Sequence, residues 1–324
     1  MPGSIYSMNS EGYARLQKSR TVIPDKFRER YAGLVEDKKE FFDCLVSPLP
    51  RAFRINTIKA DKKQVLEKFG VYGIELKPVV WYPDAFVTND LRLGNTIEHF
   101  MGYIYIQELT SMLPAVVASK ELSEKSFVVD CCAAPGSKTT QAAGFMGNKG
   151  CIIANDINYM RIKALKFNLE KLGVLNTIVT NQDFRFFTSK EKADTVLLDA
   201  PCTSEGTVRK DWNVLSHWSE AKIFGMSKLQ KQLILRAFDL VKTGGQLIYS
   251  TCTFSPEENE EVVQYLLQNR QGVEIEKITL NGFKLSSGIQ EWGKQKFDPE
   301  IRKTCRIWPH HNDTDGFFIA KIRK

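Results

Sequence analysis

From Ser123 to the C-terminus the chain repeats one unit: a short apolar run, a turn, then a stretch with apolar residues at helical spacing. FVVDC (127–131) is the first such run, followed by CAAPGSK and a helix-like TTQAAGFMG. CIIANDI (151–157) leads into RIKALKFNLEKLG (161–173), whose apolar residues recur at three- and four-residue intervals and whose Gly173 is a natural helix stop. TIVTNQD (177–183), TVLLDAP (195–201) and GQLIYSTC (245–252) read as three further strands, the last preceded by a helix over 227–241. This alternation restricts the chain to an α/β fold with a mostly parallel, doubly wound sheet, because parallel neighbours need crossovers and the crossovers here are helical. The last runs, GVEIEKIT (272–279) and GFFIAKIRK (316–324), have no comparable helix between them and predict an antiparallel hairpin at one edge.

The first 120 residues follow another pattern. Helical stretches near 24–46 precede PRAFRINTIKA (50–60), KKQVLEKFG and GIELKPVV, with further strands at AFVTN and YIYIQE. A small α+β domain over 1–120 is therefore expected ahead of the α/β domain over 121–324. The apolar runs are too short to span a bilayer and the N-terminus lacks a leader pattern, so a soluble, cytoplasmic protein without membrane partners is expected. The seven cysteines are irregularly spaced, which argues against a disulfide scaffold, and no C-x-x-C occurs. Cys305, His310 and His311 lack a fourth ligand in register, so no metal is expected. A net charge of +7 permits a nucleic-acid partner without establishing one.

Ligands of doubly wound sheets sit beyond the carboxyl ends of the strands, where the strand order reverses. Those ends are Cys132 to Lys138, Asp156, Asp183, Asp199 and Cys252. Three carboxylates in successive units repel a polyphosphate, and CAAPGSK carries neither the phosphate-cradling nor the dinucleotide glycine pattern. Asp156 can accept from both hydroxyls of a ribose, and Asp183 is in reach of an adenine amino group. Gly136 lets backbone approach a ligand, ahead of a helix start whose N–H groups suit a carboxylate. S-adenosylmethionine meets each requirement. One strand-end acid alone reads more simply as a helix cap; three in succession favour a cofactor.

Two cysteines end strands at the same rim, Cys202 in DAPCTSEGT and Cys252 in IYSTCTFSPEENE. The C5 carbon of a pyrimidine is a weak nucleophile, and a thiolate adding at C6 turns the ring into an enamine whose C5 can take a methyl group. A carboxyl group beside the ring, here Asp199, can serve N3. The residue pattern leaves open which cysteine attacks.

DCCAAPGSKTT, DAPC and STCT together resemble the motifs of the Nop/Sun family of RNA cytosine-5 methyltransferases. The resemblance extends over RINT (54–57), GYIYIQELTSMLPA (102–115), ANDI, NQD, STCTFSPEENE and RIWPHHNDTDGFFIAK, which is most of the chain. It implies a Rossmann-like class I methyltransferase sheet preceded by an RNA-recognition-like domain, with S-adenosylmethionine as cofactor. It also implies Cys252 as nucleophile, with Cys202 helping to break the covalent adduct. Cys132, Ala133, Ala134, Pro135, Gly136, Ser137 and Lys138 would surround the methionine end of the cofactor, with Lys138 near its carboxylate. Asp156 would hold the ribose, Asp183 the adenine, and Asp199 would lie between cofactor and base. Arg161 would face the cofactor or the helix surface. Ser137 stands where many members have a second glycine, and Thr203 where serine is usual; neither change removes a reactive group. The implied substrate is RNA, tRNA of the archaeal type first and rRNA second, acted on by a monomer. A DNA cytosine-5 methyltransferase would instead attack with Cys202, and a non-catalytic RNA-binding factor would bind without turnover.

For the RNA itself, Arg51, Arg54 and Lys59 surround one predicted strand with Phe53 interleaved, and VRKDW (208–212) sets Arg209 and Lys210 beside Trp212. Cations for phosphates and aromatics for bases make a single-strand surface. Asn56 and Gln107 are candidates to bridge the domains instead.

Overall fold

The computed structural model describes residues 23–324. Strands β1 (Arg51–Ile55), β2 (Lys77–Pro78), β3 (Ala85–Thr88) and β4 (Ile104–Ile106) form an antiparallel sheet in the order β2-β3-β1-β4. Successive side chains of a strand face opposite ways, and β1 uses both faces. Phe53 and Ile55 pack with Phe69, Phe86 and Ile104 in a core under the helix Lys62–Val71. Ala52 and Arg54 point the other way, Ala52 towards Met112 and Arg54 towards Gln107 and Thr140.

The second sheet takes β5 (Phe127–Asp130), β6 (Cys151–Asn155), β7 (Thr177–Thr180), β8 (Ala193–Asp199) and β9 (Val241–Thr251), all parallel, in the order β7-β6-β5-β8-β9. The order reverses between β5 and β8. Beyond β9 the sheet turns antiparallel with β10 (Glu274–Glu276), β11 (Ser286–Ser287), β14 (Cys305–Ile307) and β15 (Phe317–Arg323), while β12 (Glu291–Trp292) and β13 (Gln295–Lys296) form a separate hairpin. The alternation of apolar side chains along the central strands fills two cores. Val129, Val196, Leu198, Leu247 and Tyr249 meet the helix Glu220–Leu240 on one face. Val128, Ile152, Leu197 and Ile248 meet the helices Ser137–Phe145 and Leu109–Ser119 on the other. Both faces are covered, as a parallel sheet requires.

The expected antiparallel edge is present: residues 274–276 pair antiparallel with 321–323. β9 runs along the inner side of β15 over Phe318–Arg323, and β14, which the sequence pattern does not announce, shares the outer side of β15 with β10. Three-residue β14 escapes a pattern search because Arg306 occupies its centre. The early helices Asp25–Tyr31 and Lys38–Leu45 also pack on the large sheet's side, where Phe27, Tyr31, Phe41 and Leu45 join Val208, Phe254 and Trp308. Among the described residues no helix is long and apolar enough to cross a membrane.

Candidate active site

The loop after β5 is pinned by backbone bonds to both neighbouring strands. Cys131 N–H donates to Leu197 O at 2.9 Å and Ala133 N–H to Asn155 O at 2.7 Å. Gly136 takes φ +103°, and a Cβ there would stand 2.9 Å from Leu165 Cδ1, so only glycine fits this turn. The helix Ser137–Phe145 then begins without a side-chain cap, leaving its first N–H groups for a ligand. Across the loop, Asp156 is buried; Oδ2 accepts from Ala134 N at 3.2 Å and Oδ1 from Asn158 N at 2.8 Å. Arg161 Nη1 lies 3.4 Å from Asp156 Oδ2, and its guanidinium also donates to Ala134 O. Asp183 caps a short turn and pairs with Arg185, which holds its carboxyl below the usual range. A glycine cradle, an open helix start and strand-end carboxylates in successive units fit a cofactor carrying a carboxylate and a ribose.

The reactive groups gather where β8 and β9 end. The register pairs Asp199 with Ser250, so DAPC and STC leave the sheet side by side. Ser250 Oγ donates to Asp199 Oδ1 at 2.8 Å, and Lys138 Nζ lies 2.6 Å from Asp199 Oδ2 and 3.3 Å from Ser111 Oγ. Lys138 thus meets Asp199 directly. Burial is the largest single effect and would lower its pKa. The charge and hydrogen bond of Asp199, with the Asp130 and Cys252 charges, together outweigh it and leave the pKa raised. Three residues past Asp199 and two past Ser250, the Cys202 and Cys252 sulfurs are 3.2 Å apart. Their shared hydrogen bond lowers Cys252 and raises Cys202, with burial adding to the rise of Cys202 and the Lys138 charge favouring the Cys252 thiolate. Gly206 makes this approach possible. Its N–H donates to Cys252 O at 2.9 Å, and a Cβ there would fall 2.2 Å from Gly316 O.

This arrangement has counterparts in known proteins. Residues 117–323 match the family model for 16S rRNA methyltransferase RsmB/F, and 23–109 match the N-terminal domain of 16S rRNA methyltransferase RsmF. The chain belongs to the RsmB/F methyltransferase family. Among RsmB/F relatives, the tRNA (cytosine(49)-C(5))-methyltransferase of Pyrococcus abyssi is 45% identical over 310 residues, covering 93% of this chain and 96% of that one. The ribosomal RNA small subunit methyltransferase F of Shewanella woodyi is 38% identical over 95% of this chain, which spans 64% of that protein. A methyltransferase homologue from Pyrococcus horikoshii superposes with a TM-score of 0.83 at 32% identity, covering 98% of this chain and all of that one. The NSun6 structure from Pyrococcus horikoshii, solved with SFG, superposes at 0.81 with 25% identity over 93% of this chain and 98% of that one.

Several residues expected to meet RNA are committed to the fold. Arg54 and Phe53 are buried in β1, one bonded across to the catalytic half and the other in the small core. Arg209 is fully buried on Asp313, Thr314 O and Pro48 O, while Lys210 beside it is exposed. Lys59 Nζ donates to Met101 O and Lys171 O. Asn56 does bridge the halves, donating to Gly102 O and Leu172 O at 2.8 Å each, and Gln107 contacts Gln141 at 3.3 Å. Three acids escaped the sequence reading: Asp130 at the end of FVVD, Glu205 three residues past Cys202, and Glu258 six past Cys252. Their signal was faint, an acid closing an apolar run or following a cysteine. Among the described residues no cluster of His, Cys, Asp or Glu could hold a metal ion.

Proposed function

We propose that this chain transfers a methyl group from S-adenosylmethionine to C5 of cytidine in RNA, with tRNA the first substrate and rRNA the second. The observation that carries this reading is the 3.2 Å approach of two thiols at adjacent strand ends, beside the Lys138–Asp199 pair. The loop from Cys132 to Lys138, with Asp156, Arg161 and Asp183, would hold the cofactor. Bound there, S-adenosylmethionine supplies the methyl group to C5.

The chain's own groups do the rest. Cys252, whose thiolate the shared hydrogen bond favours, adds to C6 of a cytosine that has left its stack. The C5–C6 electron pair moves to C5, which takes the methyl group. A proton from the Lys138–Asp199 pair passes to N3 as Cys252 adds. Asp199, held also by Ser250, accepts from the N3–H so formed, and the proton returns to the pair as Cys252 leaves. The C5 proton then leaves to a base, for which water and Cys202 are the candidates, Cys202 once its own thiol proton has passed to water. The C5–H electrons restore the double bond and expel Cys252 as thiolate.

The tRNA preference draws on the 45% identity over nearly the whole length of both chains, against partial coverage of the rRNA enzyme. The test incubates wild type, Cys202→Ala and Cys252→Ala with cofactor and tRNA, small-subunit rRNA or duplex DNA. Denaturing gels then reveal adducts, and digestion reveals 5-methylcytosine. Cys202→Ala should accumulate an RNA adduct and Cys252→Ala none. An adduct that needs Cys202 and forms on duplex DNA would sink this reading in favour of the DNA-type mechanism.

A further inference from the structure

Behind the two thiols runs a buried polar chain that the reaction above does not use. Glu205 and Glu258 are both fully buried. Between them stand the hydroxyls of Thr203 and Thr253, the residues directly after the two cysteines. Glu258 Oε1 meets Thr203 Oγ1, Thr203 Oγ1 lies 3.0 Å from Thr253 Oγ1, and Thr253 Oγ1 meets Glu205 Oε2. Three oxygen–oxygen contacts need three protons, and two hydroxyls supply two. A carboxyl must bring the third.

The surroundings decide which one. Glu205 receives the Tyr31 hydroxyl at 2.7 Å, the Trp218 indole N–H at 2.6 Å and the Phe254 amide at 3.3 Å, with the Arg30 charge nearby. Donors and a cation favour its anion. Thr253 Oγ1 also accepts the Ser255 amide at 3.1 Å, so its own proton is free to go to Glu205. Glu258 Oε2 accepts from Thr203 N at 3.1 Å and Gln230 Nε2 at 2.8 Å, leaving Oε1 to face only hydroxyls. Burial raises both carboxyls, and Glu258, which also feels the charge of Glu205, is pushed up to about 7.

We propose that Glu258 is a positioning residue: its protonated carboxyl donates into this chain, clamps the segment after Cys202 to the segment after Cys252, and so sets the approach of the two thiols. The inference rests on the reading of Cys252 and Cys202 as the working pair. Once Glu258 ionises, the third proton is lost and two carboxylates oppose each other across the threonines, so the clamp loosens as pH rises. The other titratable groups around it are Glu205 from the 3-10 turn after β8, the two cysteines, and Tyr249 of β9, whose hydroxyl donates to Glu258 O. Arg30 and Tyr31 of the first helix stand behind Glu205, Glu257 adjoins in sequence and pairs with Arg30, and the Arg306–Glu260 pair lies beyond.

Glu258→Gln offers an N–H where the protonated acid offers O–H, and it cannot ionise. The test measures turnover, RNA KM and trapped adduct from about pH 6 to 9 for wild type, Glu258→Gln, Glu258→Ala and Glu205→Gln. On the acid side the Gln variant should rescue turnover that the Ala variant loses by roughly tenfold or more, with little change in RNA KM. The ratio of Gln variant to wild type should climb by about tenfold per pH unit above the Glu258 titration. Glu205→Gln should behave like the Ala variant. A Gln variant as slow as Ala with a ratio flat in pH overturns the proposal, and so does tolerance at Glu205 in place of Glu258. If circular dichroism finds Glu258→Gln unfolded, Thr253→Ser and Thr253→Val decide: serine must keep the alkaline fall and valine must lose it, and identical behaviour overturns the clamp. Failure of the underlying reading looks different, as an adduct formed by Cys252→Ala.

Discussion

Asp130 closes β5 with one carboxyl oxygen accepting from Thr139 Oγ1 at 2.6 Å and the other buried without a partner. Burial disfavours its anion and pushes its pKa from 3.8 up to about 7. Below about pH 4 the acid is protonated in folded and unfolded chain alike, and the full stability is present. Above that the unfolded chain gives up its proton more readily, so stability falls by up to ~1.4 kcal/mol per pH unit until the folded group titrates as well. Asp130→Asn removes this loss. Thermal melts between about pH 5 and 8 should show the variant gaining on wild type as pH rises; an offset that stays constant over that range would mean Asp130 titrates normally. The residues proposed to react stand out in the sequence because strand ends announce them: Asp199, Cys202 and Cys252 each follow an apolar run. Glu205 and Glu258 were not, since an acid in a polar loop reads as solvated until the register of β8 and β9 brings Thr203 against Thr253. The pairing of Lys138 with Asp199, across 61 residues, was equally invisible in sequence.

Elements were legible in proportion to their length. Strands β5 to β9 are mostly apolar runs separated by helical crossovers, and that pattern dictates a parallel sheet whatever the side chains do next. Short β14 was hidden by a charge that the fold consumes. Arg306 and Glu260 form an ion pair with side chains only 3% and 0% exposed, and Arg306 Nη1 also donates to Phe254 O at 2.8 Å. The pair ties β14 to the start of the helix Glu260–Asn269 and to the segment that carries Cys252. Breaking a buried pair by removing one partner strands the other charge, at a cost of about 3–5 kcal/mol. Arg306→Met should therefore lower the urea midpoint sharply, whereas Arg306→Met combined with Glu260→Gln should recover part of the loss. A single variant within ~0.5 kcal/mol of wild type would mean that water reaches Glu260 and the pair holds nothing. The same logic explains the RNA residues misplaced from sequence. In β1 the two-residue period puts Phe53 under its own helix and turns Arg54 inward to the other half, so a cation beside an aromatic marks an interface within the chain.

At the scale of the molecule that interface decides whether the two sheets act as one body. The small sheet spans 51–106 and closes over one modest core, and a unit of roughly that size is marginal alone. Its seam with the catalytic half is polar. Arg54 donates to Gln107 Oε1 at 2.9 Å and Thr140 Oγ1 at 2.7 Å and lies over the Tyr105 ring, while Asn56 reaches Leu172 O. The Arg54 bonds are to neutral acceptors, so its charge is held by hydrogen bonds and the aromatic face, and burial lowers its pKa. Arg54→Ala removes these bonds and leaves Gln107 and Thr140 short of a donor, a loss of ~3 kcal/mol that falls on the seam. Amide exchange followed by mass spectrometry reads the consequence directly. In the variant, peptides covering β1, β3 and β4 should exchange faster by about two orders of magnitude, while β5, β6 and β8 keep their protection, because the small sheet opens before the large one. Equal acceleration in both sheets would show that they unfold only together and that the seam is not the weak joint. Unchanged exchange in β1 would show that the small sheet stands on its own core, and that Arg54 serves neither stability nor the joining of the halves.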